Sequence, residues 1–303
     1  MYAIVWNRVF LLAAGIAFGW TLVNYWVVSP KDKLRQRNWL LLSVLGGGAV
    51  LVLLGRVSPS AAKVGSGVFF FSALVAYAAN AKQVGKEGVF LPPALPERDP
   101  SASSWKAVLF IVGAEPLSYS GPEEWRRILA RLEQKGPLPH WFVRPRLYAR
   151  LRAAYEATGE RAPFWSALED AIAPLQRELG EETWVRAFSF WEGPQLAKEF
   201  AQLVREGAVA LYFLPMGLGE DGVRALREWV TASRVREVGV RVEYYPQGDV
   251  LLAEDEALAR LCHLVEKGTF APLEGAFQES VVGWAEPIAK WVAEERVNVL
   301  ARE

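Results

Sequence analysis

Residues 185–219, VRAFSFWEGPQLAKEFAQLVREGAVALYFLPMGLG, carry the reading of the fold. Val185 to Trp191 is a short aromatic and β-branched run. Gly193-Pro194 breaks it and places proline in the first helical turn, where its missing N–H is no loss. Leu196, Phe200, Leu203 and Val204 follow at helical spacing, and Gly207 stops the helix. Val209 to Leu214 is a second apolar run, ended by Pro215 and two glycines. A strand, a helix and another strand of this kind form a parallel crossover unit. Such units take ligands at the carboxyl ends of their strands. Here those ends are Phe190-Trp191-Glu192 and Pro215-Met216-Gly217.

Outward from this unit the alternation continues. Lys106–Val112 reads as an apolar strand followed by Gly113. Pro122–Glu133 reads as a helix with Glu123 and Glu124 in its first turn, where acids meet the positive end of the helix dipole. Leu147–Thr158 and Phe164–Leu179 are helices closed by Gly159 and Gly180. Downstream come a helix over Gly222–Thr231, a strand over Gly239–Tyr244 and a helix over Glu254–Glu266. The spacing predicts an α/β domain over 105–268, a doubly wound sheet of four parallel strands. Residues 269–303 form a tail whose Trp284–Leu300 stretch predicts an amphipathic helix.

The amino-terminal part is different in kind. The chain has 303 residues, 52% of them hydrophobic, and a mean hydropathy of +0.11. The apolar residues crowd into residues 1–82. Segments at about 9–28, 38–57 and 64–80 are long enough to cross a hydrocarbon core of ~30 Å. A signal peptide is the alternative for the first, but two more apolar segments follow it. Lys31, Lys33, Arg35 and Arg37 join the first two segments, whereas the next connection holds only Arg56 and Lys63. The positive-inside rule then predicts a multi-pass protein of the inner (cytoplasmic) membrane with everything after residue 80 in the cytoplasm. Gly46–Gly48 and Gly65, Ser66, Gly67 and Ala73 are small-residue faces suited to close helix contact. Asn24 reads either as an interhelical hydrogen-bond partner or as a functional group. Residues 83–104, rich in proline and serine, read as a tether.

Composition excludes several classes. The net charge is zero, so a nucleic-acid partner has no electrostatic support. One cysteine, Cys262, leaves no intramolecular disulfide and no multi-cysteine metal site. The two histidines, His140 and His263, make no histidine-rich centre, and no metal site is expected. Gly217–Gly222 precedes a helix, but Glu220 and Asp221 at its start would repel a phosphate.

Several stretches nevertheless carry a resemblance. Val112-Gly113-Ala114-Glu115-Pro116, Tyr155–Phe164, Ala187–Pro194 and Ala210–Pro215 occur in order. Together they resemble the amino-terminal half of the ferrochelatase family, with its Y-x-x-I-G-G-x-S-P-L and G-M-R-Y-W-x-P-P runs and its strand ending in P-L-Y-P. Gly217–Leu264 is similar to the smaller sirohydrochlorin chelatases, with Tyr245–Asp249 at the place of their P-L-G turn. The resemblance covers roughly 105–266. It implies a tetrapyrrole ligand, such as haem, and metal insertion as the chemistry. The departures fall on the polar groups. Ser189 and Phe190 replace the arginine and tyrosine, Ala162 the serine, and no histidine follows the strands at Glu115 or Met216.

Metal insertion needs a base for the pyrrole protons and a ligand for the metal. Glu115 is the first acidic candidate and Glu192 the second; each also reads as an ordinary loop or helix-start carboxylate. Phe190, Trp191, Pro215, Met216 and Tyr119 are the candidate walls of a ligand cleft, with core packing as the other reading. Three functions are expected from this set. One is a non-catalytic member of the fold that binds a tetrapyrrole or serves as a scaffold. Another is a chelatase completed as a homodimer. The third is a structural subunit of a membrane complex.

Overall fold

The computed structural model describes residues 2–84, 104–246, 252–273 and 284–300. Residues 85–103 of the expected tether lie outside the described residues, as do Gln247, Gly248 and Asp249. The chain divides into two compact units. One joins Met1–Gly88 to Tyr119–Ala157; the other joins Val89–Ser118 to Thr158–Glu303.

In the first unit three long helices follow one another: α1 (Tyr2–Val27), α2 (Lys33–Val57) and α3 (Pro59–Val84). Each is long and apolar enough to cross a membrane. Their outward faces carry exposed Leu41, Leu45, Phe70 and Phe71, side chains that are unfavourable in water. α1 and α3 meet closely because Gly15 and Gly19 have no side chain. A Cβ on Gly15 would overlap Ser72 Oγ and the Phe69 carbonyl, and one on Gly19 the Ala73 carbonyl. Asn80 of α3 donates to Asn24 Oδ1 and to the Trp20 carbonyl, both at 2.9 Å, so Asn24 is an interhelical partner.

Two further helices, α4 (Pro122–Glu133) and α5 (Arg144–Ala157), belong to this unit. They receive the end of α1. The last carbonyls of a helix lack internal partners and need outside donors. Tyr119 Oη donates to the Val27 carbonyl at 2.8 Å. Arg152, 4% exposed, donates to the carbonyls of Tyr25 and Val28 at 2.6 and 3.1 Å. Its charge also complements the negative end of the helix dipole. Glu156 then takes Lys33, the first residue of α2, at 2.8 Å.

The second unit is an α/β layer structure. It contains β1 (Trp105–Val112), α6 (Pro163–Leu179), β2 (Thr183–Ser189), α7 (Gly193–Arg205), β3 (Ala208–Met216), α8 (Glu220–Ala232), β4 (Arg241–Tyr244), α9 (Glu254–Lys267) and α10 (Ala285–Leu300). The four strands form one parallel sheet in the order β2-β1-β3-β4. The α/β expectation holds: three apolar helices, then this sheet with its helices, then a carboxyl-terminal helix. β2 is shorter at its end than its sequence implied, so Phe190 and Trp191 lie just past the strand.

Both faces of a parallel sheet must be covered, and here both are. Ala107, Leu109 and Ile111 of β1, with Leu211 and Phe213 of β3, pack on Phe200 and Leu203 of α7 and Trp229 of α8. On the alternate positions Val108, Phe110, Tyr212 and Leu214 are equally buried. Trp291 of α10 stands edge-on to Tyr212, with ring centres 5.4 Å apart. Each fully buried side chain of this size contributes about 1.5–3 kcal/mol. The outer edge of β2 is satisfied by a side chain. Gln176 of α6 accepts from the Val185 amide at 2.8 Å and donates to the Thr183 carbonyl at 2.6 Å, as a neighbouring strand would.

Candidate functional site

In a 2-1-3-4 sheet the connections leave β1 and β3 in opposite directions, so the crevice between their carboxyl ends is where a ligand would enter. That crevice is occupied by the chain itself. The Gly113 amide donates to the Met216 carbonyl at 2.7 Å, continuing the ladder past the strand ends. A Cβ at Gly113 would sit 2.5 Å from the Gly217 carbonyl oxygen, so only glycine permits this approach. Met216 is fully buried.

Glu115 lies one turn beyond β1 and is completely buried. Its carboxylate faces the guanidinium of Arg260 on α9, with Nε 3.0 Å from Oε2 and Nη2 2.9 Å from Oε1. Arg260 in turn stands over the Phe164 ring at 5.4 Å and approaches the carbonyls of Ala271 and Pro272 at 3.5 Å. The Glu115 carbonyl accepts from the Trp165 indole at 2.8 Å. The carboxylate is thus faced by both prongs of an arginine fork, a geometry that fixes its position.

Glu192 is the residue before α7 and is 5% exposed. Burial pushes its carboxyl pKa up, while the amides of Ser118 and Leu117 pull it back down. The Ser118 amide lies 3.4 Å from Oε1. Beside it the Trp191 indole donates to the carbonyls of Gly113 and Ala114, both at 2.9 Å. Trp191 is therefore a plug that ties the loop after β2 to the loop after β1. Phe190 is half-buried, edge-on to Trp191 at 5.3 Å, and its amide continues the ladder to the Val112 carbonyl.

Pro215 has a different setting. Backbone groups of Phe213 and Pro215 point toward β4, but β4 stops pairing at Phe213–Tyr244. The donor that proline lacks is therefore not needed. The gap so created is a cleft of about 370 Å³ among Pro215, Leu218, Val223, Tyr245, Pro246 and Leu252. Glu220 and Glu254 stand at its edge. Its floor is closed where the Gly217 amide donates to the Leu252 carbonyl at 2.9 Å. Of the candidate residues only Pro215 lines it. Tyr119 belongs to the other compact unit, where burial pushes its hydroxyl pKa far up and its proton is committed to Val27.

Sequence reasoning missed a second cleft, of about 430 Å³, lined by Arg227, Thr231, Arg234, Arg236 and Tyr244. Arg227 covers the Tyr244 ring at 5.0 Å, and Arg234 pairs with Glu237 at 2.6 Å. Burial pushes the Tyr244 hydroxyl up to about 12. The run Arg234-Val-Arg236 after a helix was the signal available for it. His140 is exposed beside Trp141, and His263 is half-buried on α9. Among the described residues no group of three or more histidine, cysteine, aspartate or glutamate side chains gathers as a metal would need.

No family model, curated protein or solved structure matches this chain. The likeness to ferrochelatases rests on the quoted residues alone.

Proposed function

We propose that this chain is a membrane-anchored, non-catalytic subunit or scaffold. Its α/β unit is cytoplasmic, beside the inner membrane, and offers its surface to a membrane-protein partner or a second copy. One observation carries this reading: the crevice where the fold would take a ligand is filled by the chain itself. Glu115 is neutralised by Arg260, Trp191 ties the two loops together, and Met216 is sealed beneath them. A base that must meet pyrrole protons has to reach the ligand, and the Glu115 carboxylate is wholly buried against Arg260. The basic residues Lys31 to Arg37, just before and at the start of α2, support the cytoplasmic side.

The ordered likeness to ferrochelatases supports a second reading, in which the unit binds a tetrapyrrole or inserts a divalent metal into it as a homodimer. The cleft at Pro215 and Tyr245 is the place such a ligand would reach, although Glu220 and Glu254 there disfavour its propionates. One titration separates the readings. Full-length protein in mild detergent is mixed with haem, protoporphyrin and sirohydrochlorin, and the Soret band is followed with and without a divalent metal. The expected result is no shift and no insertion. A shift alone makes the chain a tetrapyrrole carrier. Insertion that is lost in Glu115→Gln makes it a chelatase and ends the scaffold reading.

A further inference from the structure

The zero net charge of the chain conceals a division. The unit that holds α1–α5 has 17 basic and 6 acidic residues, formally +11; the other has 17 and 28, formally −11. Within the first unit the positive charge is gathered at one end of the three-helix bundle. The Val27 end of α1, the Lys33 start of α2 and the Tyr77 end of α3 all meet the 119–157 segment there. That segment contains eight arginines and lysines against four glutamates. Two of those glutamates are already taken, Glu133 by Arg144 and Glu156 by Lys33.

The same end carries an aromatic belt. Tyr77 Oη donates to the Phe142 carbonyl at 2.7 Å, and the two rings are 4.8 Å apart. Trp26 stands edge-on to Tyr77 at 6.0 Å, and Trp141 edge-on to Phe142 at 5.7 Å. Trp39, in the early turns of α2, is 59% exposed. An exposed tryptophan such as Trp39 suits headgroup level, with its ring toward the lipid chains and its polar tip toward water. The loop Trp141-Phe142-Val143 has the aromatic composition of a membrane-surface segment, and Val143 is 42% exposed. Immediately after it, Arg146 and Arg150 are exposed, as are Lys31 before α2 and Arg35 and Arg37 in its first turns.

We propose that this belt and its cationic collar form a docking surface for anionic phospholipid headgroups, centred on Trp141 to Arg150. A collar of arginines at headgroup depth attracts anionic lipid over neutral lipid. Arginine suits the purpose because its planar fork grips phosphate oxygens in pairs. The interaction weakens as salt screens it. It does not depend on what the α/β unit binds.

The test uses the full chain reconstituted in vesicles of phosphatidylcholine with or without phosphatidylglycerol. Spin-labelled versions of the two lipids report the fraction held at the protein surface. The expected result is several-fold preference for phosphatidylglycerol, falling toward parity in the Arg146→Gln/Arg150→Gln variant. Added sodium chloride should lower the preference of the unaltered protein in the same way. Arg56→Gln, at the far end of α2, should leave it intact. Equal retention of both lipids by the unaltered protein would overturn the proposal. So would a loss in Arg56→Gln as large as that in the double variant.

Discussion

Glu115 and Arg260 show how one pair of residues decides what a site can do. Two charges are removed from water and matched by two short contacts. Breaking such a pair strands a buried charge, at a cost of about 3–5 kcal/mol, whereas replacing both partners by apolar groups is close to neutral. Arg260→Met should therefore lower the unfolding free energy of the full chain by about 3–5 kcal/mol, and Glu115→Leu/Arg260→Met should regain most of it. Urea unfolding in detergent measures both. Glu192 is the opposite case, a buried carboxylate held only by backbone amides. Its folded pKa is raised, so its favourable contribution exists below the ordinary carboxylate range and is lost as pH rises through the folded pKa. At neutral pH its charge is a cost. Glu192→Gln should melt higher than the unaltered protein at pH ~7, and that advantage should vanish below pH ~4. A variant equally stabilised at both pH values would show that burial of the charge is not the reason.

At the scale of elements, helix contact in the first unit depends on absent side chains. Gly15 and Gly19, four residues apart on α1, let its backbone rest on Phe69 to Ala73 of α3. Leu11 and Phe69 extend the same contact and are buried. Gly19→Val has no flexible neighbour to displace, because it meets the Ala73 carbonyl and the Tyr77 backbone nitrogen. Overpacking costs about 1–3 kcal/mol where side chains give way, and here backbone must move, so the upper part of that range is expected. Thermal aggregation in detergent should begin several degrees lower for Gly19→Val, while Gly67→Val, which meets open space, should match the unaltered protein. Asn24 and Asn80 add a polar tie across the same contact, worth about 0.6 kcal/mol by the measured average for such bonds in membranes.

For the whole molecule the question is which parts share a side of the membrane. Within the first unit, residues 119–157 close the end where α1 finishes and α3 finishes. The turn at Ser58 between α2 and α3 joins the two helices at their other end. With Cys262→Ser as background, Gln134→Cys and Ser60→Cys should therefore be labelled from opposite sides of sealed vesicles by a membrane-impermeant maleimide. Labelling of both from one side would overturn the three-span arrangement. The +11 and −11 division of charge between the two units belongs to this scale too.

Sequence alone determined what depends on local period and composition. The three apolar segments, the order of strands and helices, and the stop signals at Gly159 and Gly180 were legible because helix and strand each impose their own spacing. The sites were legible only as positions. Glu115 could be named from its place after β1, but Arg260, 145 residues away, determines its chemistry. Arg152 read as one charge among many until it met the end of α1, 127 residues earlier. The Gly15–Gly19 spacing was visible in the chain, yet its meaning needed Ser72 and Ala73 on another helix. Burial, pairing and crevice filling are properties of contacts distant in sequence. No local pattern encodes them, and the tertiary structure alone decides whether a strand end is an open site or a closed one.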